Sequence, residues 1–280
     1  MLKRLAKTAI AAAAHRRVKQ SGSAFREFGD LQTISALAAE VVKVADERGF
    51  DDVKRFDLFY EIGRKLQPEF SINDRGRYFL KDGEFRRYFE RFIGERGNWK
   101  NFERRWTVDQ MLRLLPDVPG DLAECGVFEG AASYQLCRFA EKYGRTVHLF
   151  DSFQGISAPK ENDGTHWTEG GLSASESTVH ANLKEFACFK TYPGWIPERF
   201  AEVSDRRFAF VHIDVDVEQP TYDSIAFFYP RMNSGAIIIL DDHGYDTCPG
   251  ARKAALEYMA DKREPVLDLA TGQGMIIRSH

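Results

Sequence analysis

The spacing of hydrophobic and polar positions divides the chain near residue 120. From Thr33 to about Leu115, apolar residues recur three or four positions apart, as at Ile34, Leu37 and Val41, and this period is typical of amphipathic helices. Beyond residue 120, short and almost continuous apolar runs predict buried strands. We expect these strands at 121–125, 146–151, 189–192, 208–214 and 236–241.

Helical patterns alternate with these strands and predict the fold class. We expect helices at 131–142, 175–186, 222–229 and 250–262. This alternation is typical of an α/β, Rossmann-like, doubly wound sheet that is mostly parallel and covered on both faces. Two further strands, 266–270 and 275–278, are joined by the glycine-rich segment 271–274. They predict an antiparallel hairpin at the C-terminal edge, which gives seven strands in all.

The clearest boundary lies at 98–105, before the turn that leads into the first strand. We therefore predict an N-terminal helical extension at 1–105, with a basic tail at 1–26, and an α/β domain at 106–280. The helices of the extension carry aromatic stripes, for example Tyr88, Phe89 and Phe92. Such stripes pack on a core or on another subunit, and they are the reason we expect a homo-oligomer.

Charge and cysteine content narrow the class of protein. The first 26 residues hold seven Lys or Arg and no acid, whereas the whole chain has a net charge of −3. The body is therefore acidic, which argues against nucleic acid as a partner. The basic tail is either a solvated helix or a peripheral membrane contact. No apolar run is long enough to span a bilayer, and four cysteines without a CxxC pair indicate a reducing, cytoplasmic location.

The segment 122–130, Leu-Ala-Glu-Cys-Gly-Val-Phe-Glu-Gly, is the centre of the candidate site. It places Glu124 at a strand end, and it places Gly126 and Gly130 where the backbone must approach a ligand closely. It is not the GxGxxG motif that seats a pyrophosphate, because Phe128 and Glu129 are respectively bulky and anionic. The pattern favours a ligand with an ammonium group and no phosphates.

The residue at the end of the second strand indicates that the ligand contains a nucleoside. Asp151 follows Gly126 by 25 residues, a spacing at which a carboxylate can accept hydrogen bonds from both ribose hydroxyls. Asp151 with Ser152 could instead cap a helix. We expect Ser152 and Phe153 to belong to the same site, and Trp195 either lies against the adenine or simply packs. A nucleoside with a charged amine fits S-adenosylmethionine.

Two neighbouring strands end in carboxylates. Asp214 ends the fourth strand, and Asp241 and Asp242 end the fifth, so the three should converge beside Gly126. Carboxylates packed this closely repel one another, and Mg²⁺ with its preference for oxygen ligands would relieve the repulsion. The alternative to a metal site is a set of solvent-facing acids that cap helices. His212 points to the other strand face, and we expect it in the core.

Six segments together resemble the macrocin O-methyltransferase family: ECGVFEGAAS, LFDSFQGI, YPGW, HIDVDVEQPTYDSI, FFYPRMNSGAIIILDDHG and CPGARKA. The resemblance covers about residues 106–278. It implies a metal-dependent enzyme that uses S-adenosylmethionine to methylate sugar hydroxyls of natural products, with 106–280 as its methyltransferase domain. It also implies that Asp214, Asp241 and Asp242 bind Mg²⁺, and that Glu124, Gly126, Asp151 and Ser152 bind the cofactor.

The mechanism calls for a group that removes a proton from the acceptor hydroxyl. Asp216 is our candidate base, with Asp214 or His243 next, because all three lie at the same strand edge. The polar segment 157–178 predicts either a lid that carries His166 and Trp167 or a disordered surface loop. The acceptor is expected to be a small molecule or a glycan. The alternatives are a metal-dependent hydrolase that uses the same acids and a non-catalytic nucleotide-binding module.

Overall fold

A computed structural model describes residues 28–66, 81–93 and 101–279. The chain divides into two compact units, 1–78 and 79–280. The described part of the first unit is helical and consists of α1 (Phe28–Glu47) and α2 (Asp52–Leu66). Asp51 caps α2, because its Oδ1 accepts a hydrogen bond from the backbone N–H of Lys54 at 2.9 Å. The basic tail 1–26 lies outside the described residues.

The second unit begins with two helices and continues as alternating strands and helices. The helices α3 (Gly83–Ile93) and α4 (Phe102–Leu112) precede the sheet, so the predicted boundary at residue 105 falls inside α4. The order that follows is β1 (Asp121–Cys125), α5 (Ala131–Tyr143), β2 (Val147–Asp151), α6 (Glu176–Asn182), β3 (Phe189–Pro193), β4 (Phe208–Ile213), α7 (Glu218–Phe228), β5 (Met232–Leu240), α8 (Pro249–Met259), β6 (Leu267–Asp268) and β7 (Gly274–Ile277).

The strands form one seven-stranded sheet in the order β3-β2-β1-β4-β5-β7-β6. Strands β1 to β5 pair in parallel, and β7 runs antiparallel to both β5 and β6. The predicted fold class is therefore confirmed, including the antiparallel edge hairpin. The predicted neighbourhood of the first and fourth strands is also confirmed, because Glu124 pairs in register with His212.

The central strands are buried on both faces, which explains their continuous apolar sequence. All six residues of β4 are buried, and so are the last five of β5. Their alternate side chains enter two hydrophobic clusters, one on each face: Val211 and Ile238 belong to one, and Phe210 and Ile237 to the other. Helices cover both faces, as parallel sheets require.

The strand order reverses between β1 and β4, so a crevice opens beyond the carboxyl ends of these two strands. That crevice is the usual ligand position in open α/β sheets. Within residues 28–66, 81–93 and 101–279, no helix combines the length and apolar character that a membrane crossing needs. All four cysteines carry free thiols.

Candidate functional site

The crevice is built on a close approach of two chain segments. The backbone N–H of Asp214 donates to the carbonyl of Cys125 at 2.8 Å. Gly126 follows at φ 81°, and a Cβ at this position would overlap the carbonyl oxygen of Asp214. Only glycine fits here, because both its positive φ and the missing side chain are needed. Gly130, at φ 86°, then starts α5.

A cavity of about 1150 Å³ lies in this crevice. Its walls are strongly acidic and partly aromatic. Six carboxylates line it: Glu124, Glu129, Asp151, Asp214, Asp216 and Asp242. The cavity is also lined by Trp167 and Trp195, by Phe89 and Phe92 of α3, and by the guanidinium groups of Arg104 and Arg105.

Asp151 stabilises the turn after β1. Its Oδ2 accepts hydrogen bonds from the backbone N–H groups of Val127 and Phe128 at 2.7 and 3.1 Å, and its Oδ1 accepts one from Phe153 at 2.7 Å. Phe128 and Phe153 both have positive φ, 50° and 56°. The carboxylate therefore holds two unusual backbone conformations in place and still faces the cavity.

The other residues predicted to bind the cofactor divide into two groups. Ser152 and Trp195 line the cavity, and the Ser152 hydroxyl accepts from the N–H of Gln154 at 3.0 Å. Phe153 instead packs on the apolar cluster beside Val179 and Leu183. Phe153 therefore packs behind the residues that line the cavity and does not line it itself.

Glu124 is the start of a buried polar chain. Its Oε2 accepts from the hydroxyl of Ser133, and its Oε1 lies 3.0 Å from His212 Nδ1. His212 Nε2 in turn lies 3.2 Å from Asp241 Oδ1. Burial alone would lower the pKa of His212, but hydrogen bonds to Asp241 and Glu124 outweigh it and raise the pKa to about 9. His212 is buried as predicted, yet it links two carboxylates rather than packing among apolar groups.

Two arginines of α4 reach the same carboxylates. Arg105 Nη2 lies 3.0 Å from Asp214 Oδ2 and 3.4 Å from Asp241 Oδ2. Arg104 Nη1 pairs with Asp241 Oδ2 and lies 3.8 Å from Asp242 Oδ1. Burial would raise the pKa of Asp241, but the two guanidinium groups and His212 hold it well below its usual range. Asp241 is thus ionised and fully partnered.

Asp216 and Asp242 are compensated less well, because the cation nearest to them among the described residues is Arg104, at 3.8 Å from Asp242 Oδ1. The N–H of Asp216 donates to Asp242 Oδ2 at 2.9 Å, and Asp216 has a positive φ of 61°. Burial, and then the charges of Asp214 and Asp241, raise the pKa of Asp216 to about 7. Burial and the charges of Asp214 and Asp216 raise the pKa of Asp242 well above its usual range. Both line the cavity, and because they are the least neutralised acids of the cluster, we refer to them as the open acids.

Comparison with known proteins identifies the family. The model of the family described as macrocin-O-methyltransferase (TylF) matches residues 104–269, which is more than half of the chain. The protein belongs to the macrocin O-methyltransferase family. The match begins at Arg104 and includes every carboxylate of the site described above.

Two relatives give the degree of similarity. Demethyldecarbamoylnovobiocin O-methyltransferase of Streptomyces niveus is 30% identical over 158 residues, which are 51% of this chain and 60% of that protein. Mycinamicin III 3''-O-methyltransferase of Micromonospora griseorubida is 30% identical over 163 residues, 52% of this chain and 62% of the relative. The matches therefore span less than two thirds of these relatives.

Solved structures agree with the fold. The O-methyltransferase NovP superposes with a TM-score of 0.55 at 27% identity, covering 64% of this chain and 81% of that one. The calicheamicin methyltransferase CalS11 gives a TM-score of 0.57 at 19% identity, with 78% and 90% covered. These structures support the Rossmann-like methyltransferase fold of this family member.

The acids at the carboxyl edge of the sheet lie close enough together to share a metal ion. Their ligand atoms fall into two groups, each within 4.8 Å: His212, Asp214 and Asp241, and Asp216, Asp242 and Cys248. The predicted triad Asp214, Asp241 and Asp242 is spread over both groups. Among the described residues, three cationic groups, Arg104, Arg105 and His212, accompany the five carboxylates of the cluster, Glu124, Asp214, Asp216, Asp241 and Asp242. The raised pKa values of Asp216 and Asp242 favour protonation of these two acids, and a hard divalent ion bound there would favour their ionised form instead.

His243 lies elsewhere in this family member. It is buried and does not line the cavity; its Nε2 is 3.2 Å from Asp268 Oδ1. A Cβ on Gly274 would stand only 2.8 Å from the imidazole ring, so the ring is held tightly. It faces a separate surface cleft of about 780 Å³ beside Arg252. The prediction that His243 is an alternative base does not fit this position, because Asp242 and His243 turn to opposite sides after β5.

The arginine pair was missed in the sequence. Arg104 is 137 residues from Asp241, and Arg105 is 107 residues from His212. Both arginines belong to the predicted extension 1–105. The available signal was the Arg-Arg pair at the start of the last helix before the acidic sheet. The positive charges of this pair are complementary to the carboxylates at the sheet edge.

Proposed function

We propose that the protein is an S-adenosylmethionine-dependent O-methyltransferase that methylates a hydroxyl of a sugar or of a glycosylated small molecule. Membership of the macrocin O-methyltransferase family supports this proposal. The observation that carries it is the single cavity that joins the glycine turn after β1 to the open carboxylates Asp216 and Asp242. At about 1150 Å³ it exceeds the ~300–1,000 Å³ of ordinary small-molecule sites. It therefore has room for a cofactor and an acceptor together.

The cofactor half is assigned to the β1–β2 side of the cavity. Bound S-adenosylmethionine supplies the electrophilic methyl group. Glu124 has lone pairs beyond those used by Ser133 and His212, so it can accept from the ammonium group. Asp151 would accept from the ribose hydroxyls while it holds the turn at Val127. The missing side chain of Gly126 lets the ligand lie against the backbone.

The remaining predicted contacts have smaller roles. Gly130 opens α5 without a side chain, and Ser152 and Trp195 line the same wall. We propose that Trp195 contacts the adenine and that Phe153, packed behind the wall, keeps Ser152 in place. These cofactor contacts are tested by the same measurement of S-adenosylhomocysteine binding that tests the proposed function.

The acceptor half is assigned to the β4–β5 side. Asp216 is the proposed base, because a pKa of about 7 lets a carboxylate take up a proton at neutral pH. It would hold the acceptor hydroxyl in line with the methyl group and receive the hydroxyl proton on a carboxylate oxygen. Correct alignment of two reactants can contribute about 7–11 kcal/mol to a reaction of this kind.

We propose Asp214, Asp241 and Asp242 as the residues that would hold Mg²⁺. Bound there, the ion would supply Lewis-acid polarisation of the acceptor oxygen. Asp214 is the most exposed of the three, with 25% of its side chain accessible against 7% for Asp242, whereas Asp241 Oδ2 is engaged by Arg104. Arg105 also contacts Oδ2, and His212 and Gln273 contact Oδ1, so Asp241 can act as a ligand only when these contacts rearrange.

The deciding experiment measures thermal stability and methyl transfer in parallel. S-adenosylhomocysteine at 100 times its dissociation constant should add about 2.7 kcal/mol to the free energy of unfolding. Methyl transfer to neutral glycosides should require the cofactor and fall in EDTA. Asp216→Asn and Asp242→Asn should abolish transfer but keep S-adenosylhomocysteine binding. Asp205→Asn, at a side chain that is 77% exposed, is the matched control and should change neither.

The outcomes separate the alternatives. Turnover of a substrate without S-adenosylmethionine would favour the hydrolase that uses the same acids. Cofactor binding without any transfer would favour a nucleotide-binding module. Full activity in EDTA would remove the metal role and leave the methyltransferase assignment intact.

Location and assembly are proposed separately. The four free thiols support a reducing compartment such as the cytoplasm. Self-association stays a prediction from the sequence, since Tyr88 and Phe89 pack within the chain beside Phe102; light scattering of the full chain measures it directly. Contact of the tail 1–26 with a membrane is tested by sedimentation with anionic vesicles.

A further inference from the structure

The segment between β2 and α6 contains a closed loop, 157–169, which we name the cover loop. Its neck is fixed by two backbone hydrogen bonds: the N–H of Ile156 donates to Gly171 O at 2.8 Å, and that of Gly170 donates to Ile156 O at 2.9 Å. Gly155 has a φ of 92°, and a Cβ there would overlap the carbonyl of Gly171. The cover loop is thus an ordered Ω-loop rather than a disordered connection.

Asp163 ties the cover loop to the sheet domain. Its side chain is 2% exposed. Its Oδ2 accepts from the N–H of Lys160 at 2.7 Å, and its Oδ1 accepts from the N–H of Glu218, the first residue of α7, at 2.6 Å. A Cβ on Gly250 of α8 would overlap Asp163 Oδ1. The loop therefore depends on one buried carboxylate that fits between the starts of two helices.

The tip of the cover loop stands over the open acids. Trp167 lines the cavity, and its Nε1 donates to Cys248 Sγ at 3.3 Å. Cys248 is 2% exposed, and its Sγ lies 3.9 Å from Asp216 Oδ1. One edge of the indole is thus anchored beside the proposed base. The partly exposed remainder of the ring is a flat apolar wall of the cavity.

We propose that Trp167 is the acceptor-binding platform, on which the apolar face of a neutral sugar ring packs, and that Asp163 is its positioning residue. This inference rests on the proposed methyltransferase function. Trp167 is favoured over Trp195, because Trp195 follows β3 on the cofactor side, whereas Cys248 and Asp216 belong to the β4–β5 side. An aromatic ring with one polar edge held by hydrogen bonding suits a ligand that is apolar on one face.

The test uses methyl α-L-rhamnopyranoside as the neutral sugar, with the full chain saturated with S-adenosylhomocysteine and Mg²⁺. Binding of the sugar is measured by saturation-transfer NMR. Trp167→Ala should weaken sugar binding about tenfold, whereas Trp167→Phe should retain most of the affinity for the sugar. The dissociation constant of S-adenosylhomocysteine should stay unchanged in both variants, which also shows that they are folded.

A double-mutant cycle tests the positioning role. Asp163→Asn should weaken sugar binding as much as Trp167→Ala does, and the double variant should show no further loss. A residue that only stabilises the fold would give additive losses instead. Glu161→Gln, an exposed position two residues away in the same loop, is the matched control and should bind the sugar as the unaltered protein does.

Three results would overturn the proposal. These are equal sugar binding in Trp167→Ala, additive losses in the cycle, and absence of sugar binding by the unaltered protein although S-adenosylhomocysteine binds. Failure of S-adenosylhomocysteine to bind at all would instead contradict the proposed function. The two failures are therefore distinguishable.

Discussion

Arg105 Nη2 lies 3.0 Å from Asp214 Oδ2, and this contact joins the helix before the sheet to the loop after β4. Arg105 is 6% exposed, and the same nitrogen lies 3.4 Å from Asp241 Oδ2. The acid cluster is therefore partly neutralised by the chain itself. The arginine acts as a fixed internal counter-ion for two carboxylates that follow different strands.

Arg105→Gln should destabilise the fold strongly. Removing one partner of a buried ion pair leaves the other charge uncompensated and costs about 3–5 kcal/mol. Urea unfolding at pH 7 measures this loss. Arg113→Gln is the matched control, because its side chain is 61% exposed in an i,i+4 pair with Asp109 and should cost under about 1 kcal/mol. Equal losses in the two variants would refute the internal counter-ion.

Gly126→Ala should be far more damaging than Gly144→Ala. Both glycines have positive φ, 81° and 64°, and a non-glycine residue there costs roughly 1–2 kcal/mol. Only Gly126 also faces an overlap with the carbonyl of Asp214, whereas a Cβ on Gly144 meets open space. Overpacking adds about 1–3 kcal/mol. Unfolding free energies of both variants, with S-adenosylhomocysteine binding, check this; similar losses would contradict the close approach.

Much of the fold could be predicted from local sequence signals. Continuous apolar runs such as Phe208–Ile213 mark strands that are buried on both faces. A carboxylate directly after such a run lies at the carboxyl edge of the sheet, so the convergence of Asp214 and Asp242 could be expected. Gly126 was informative because a glycine directly after a strand indicates a tight turn, whereas its close approach to the Asp214 carbonyl appears only in the fold.

The rest depends on contacts between distant parts of the chain. Arg105 is 109 residues from Asp214, and its local sequence indicates only an amphipathic helix. Asp163 looks like an ordinary polar loop residue, and only the fold brings it beside Gly250. His243 follows the same strand as Asp242 but lines a different cleft, because consecutive residues beyond a strand turn to different sides.

Replacement of His212 should change how stability depends on pH. Its pKa is raised from an ordinary value near 6.5 to about 9 in the folded protein. The stabilisation contributed by protonated His212 is therefore complete below about pH 6.5 and is lost as pH rises through about 9. Over this range the free energy of unfolding falls by at most about 1.4 kcal/mol per pH unit. His212→Gln should remove this decline in urea unfolding between pH 6 and 9.5. His180→Gln, at a side chain 53% exposed, should keep it; a decline retained by both variants would exclude His212 as its source.

Glu264 should make the opposite contribution at acidic pH. Burial would raise its pKa, but the hydroxyl of Tyr229 and the N–H and hydroxyl of Ser279, at 3.0 and 2.9 Å, outweigh it and hold the pKa well below the usual range. Arg278 Nη1 adds an ion pair at 2.7 Å. The stabilisation is thus present above the ordinary glutamate pKa of about 4.3 and is lost as pH falls through the lowered value.

Glu264→Gln tests this contribution at the C-terminal edge of the sheet. A hydrogen bond to a charged group contributes roughly 1.5–3 kcal/mol, so the variant should lose at least that much stability at pH 7. The loss should shrink as pH falls below about 4.3, because the unfolded chain then binds a proton at Glu264 that the folded protein, with its lowered pKa, does not yet bind. Glu257→Gln, an exposed position on α8, is the control and should be neutral. Urea unfolding from pH 3 to 7 measures both, and a loss that does not change with pH would assign the effect to packing rather than to charge.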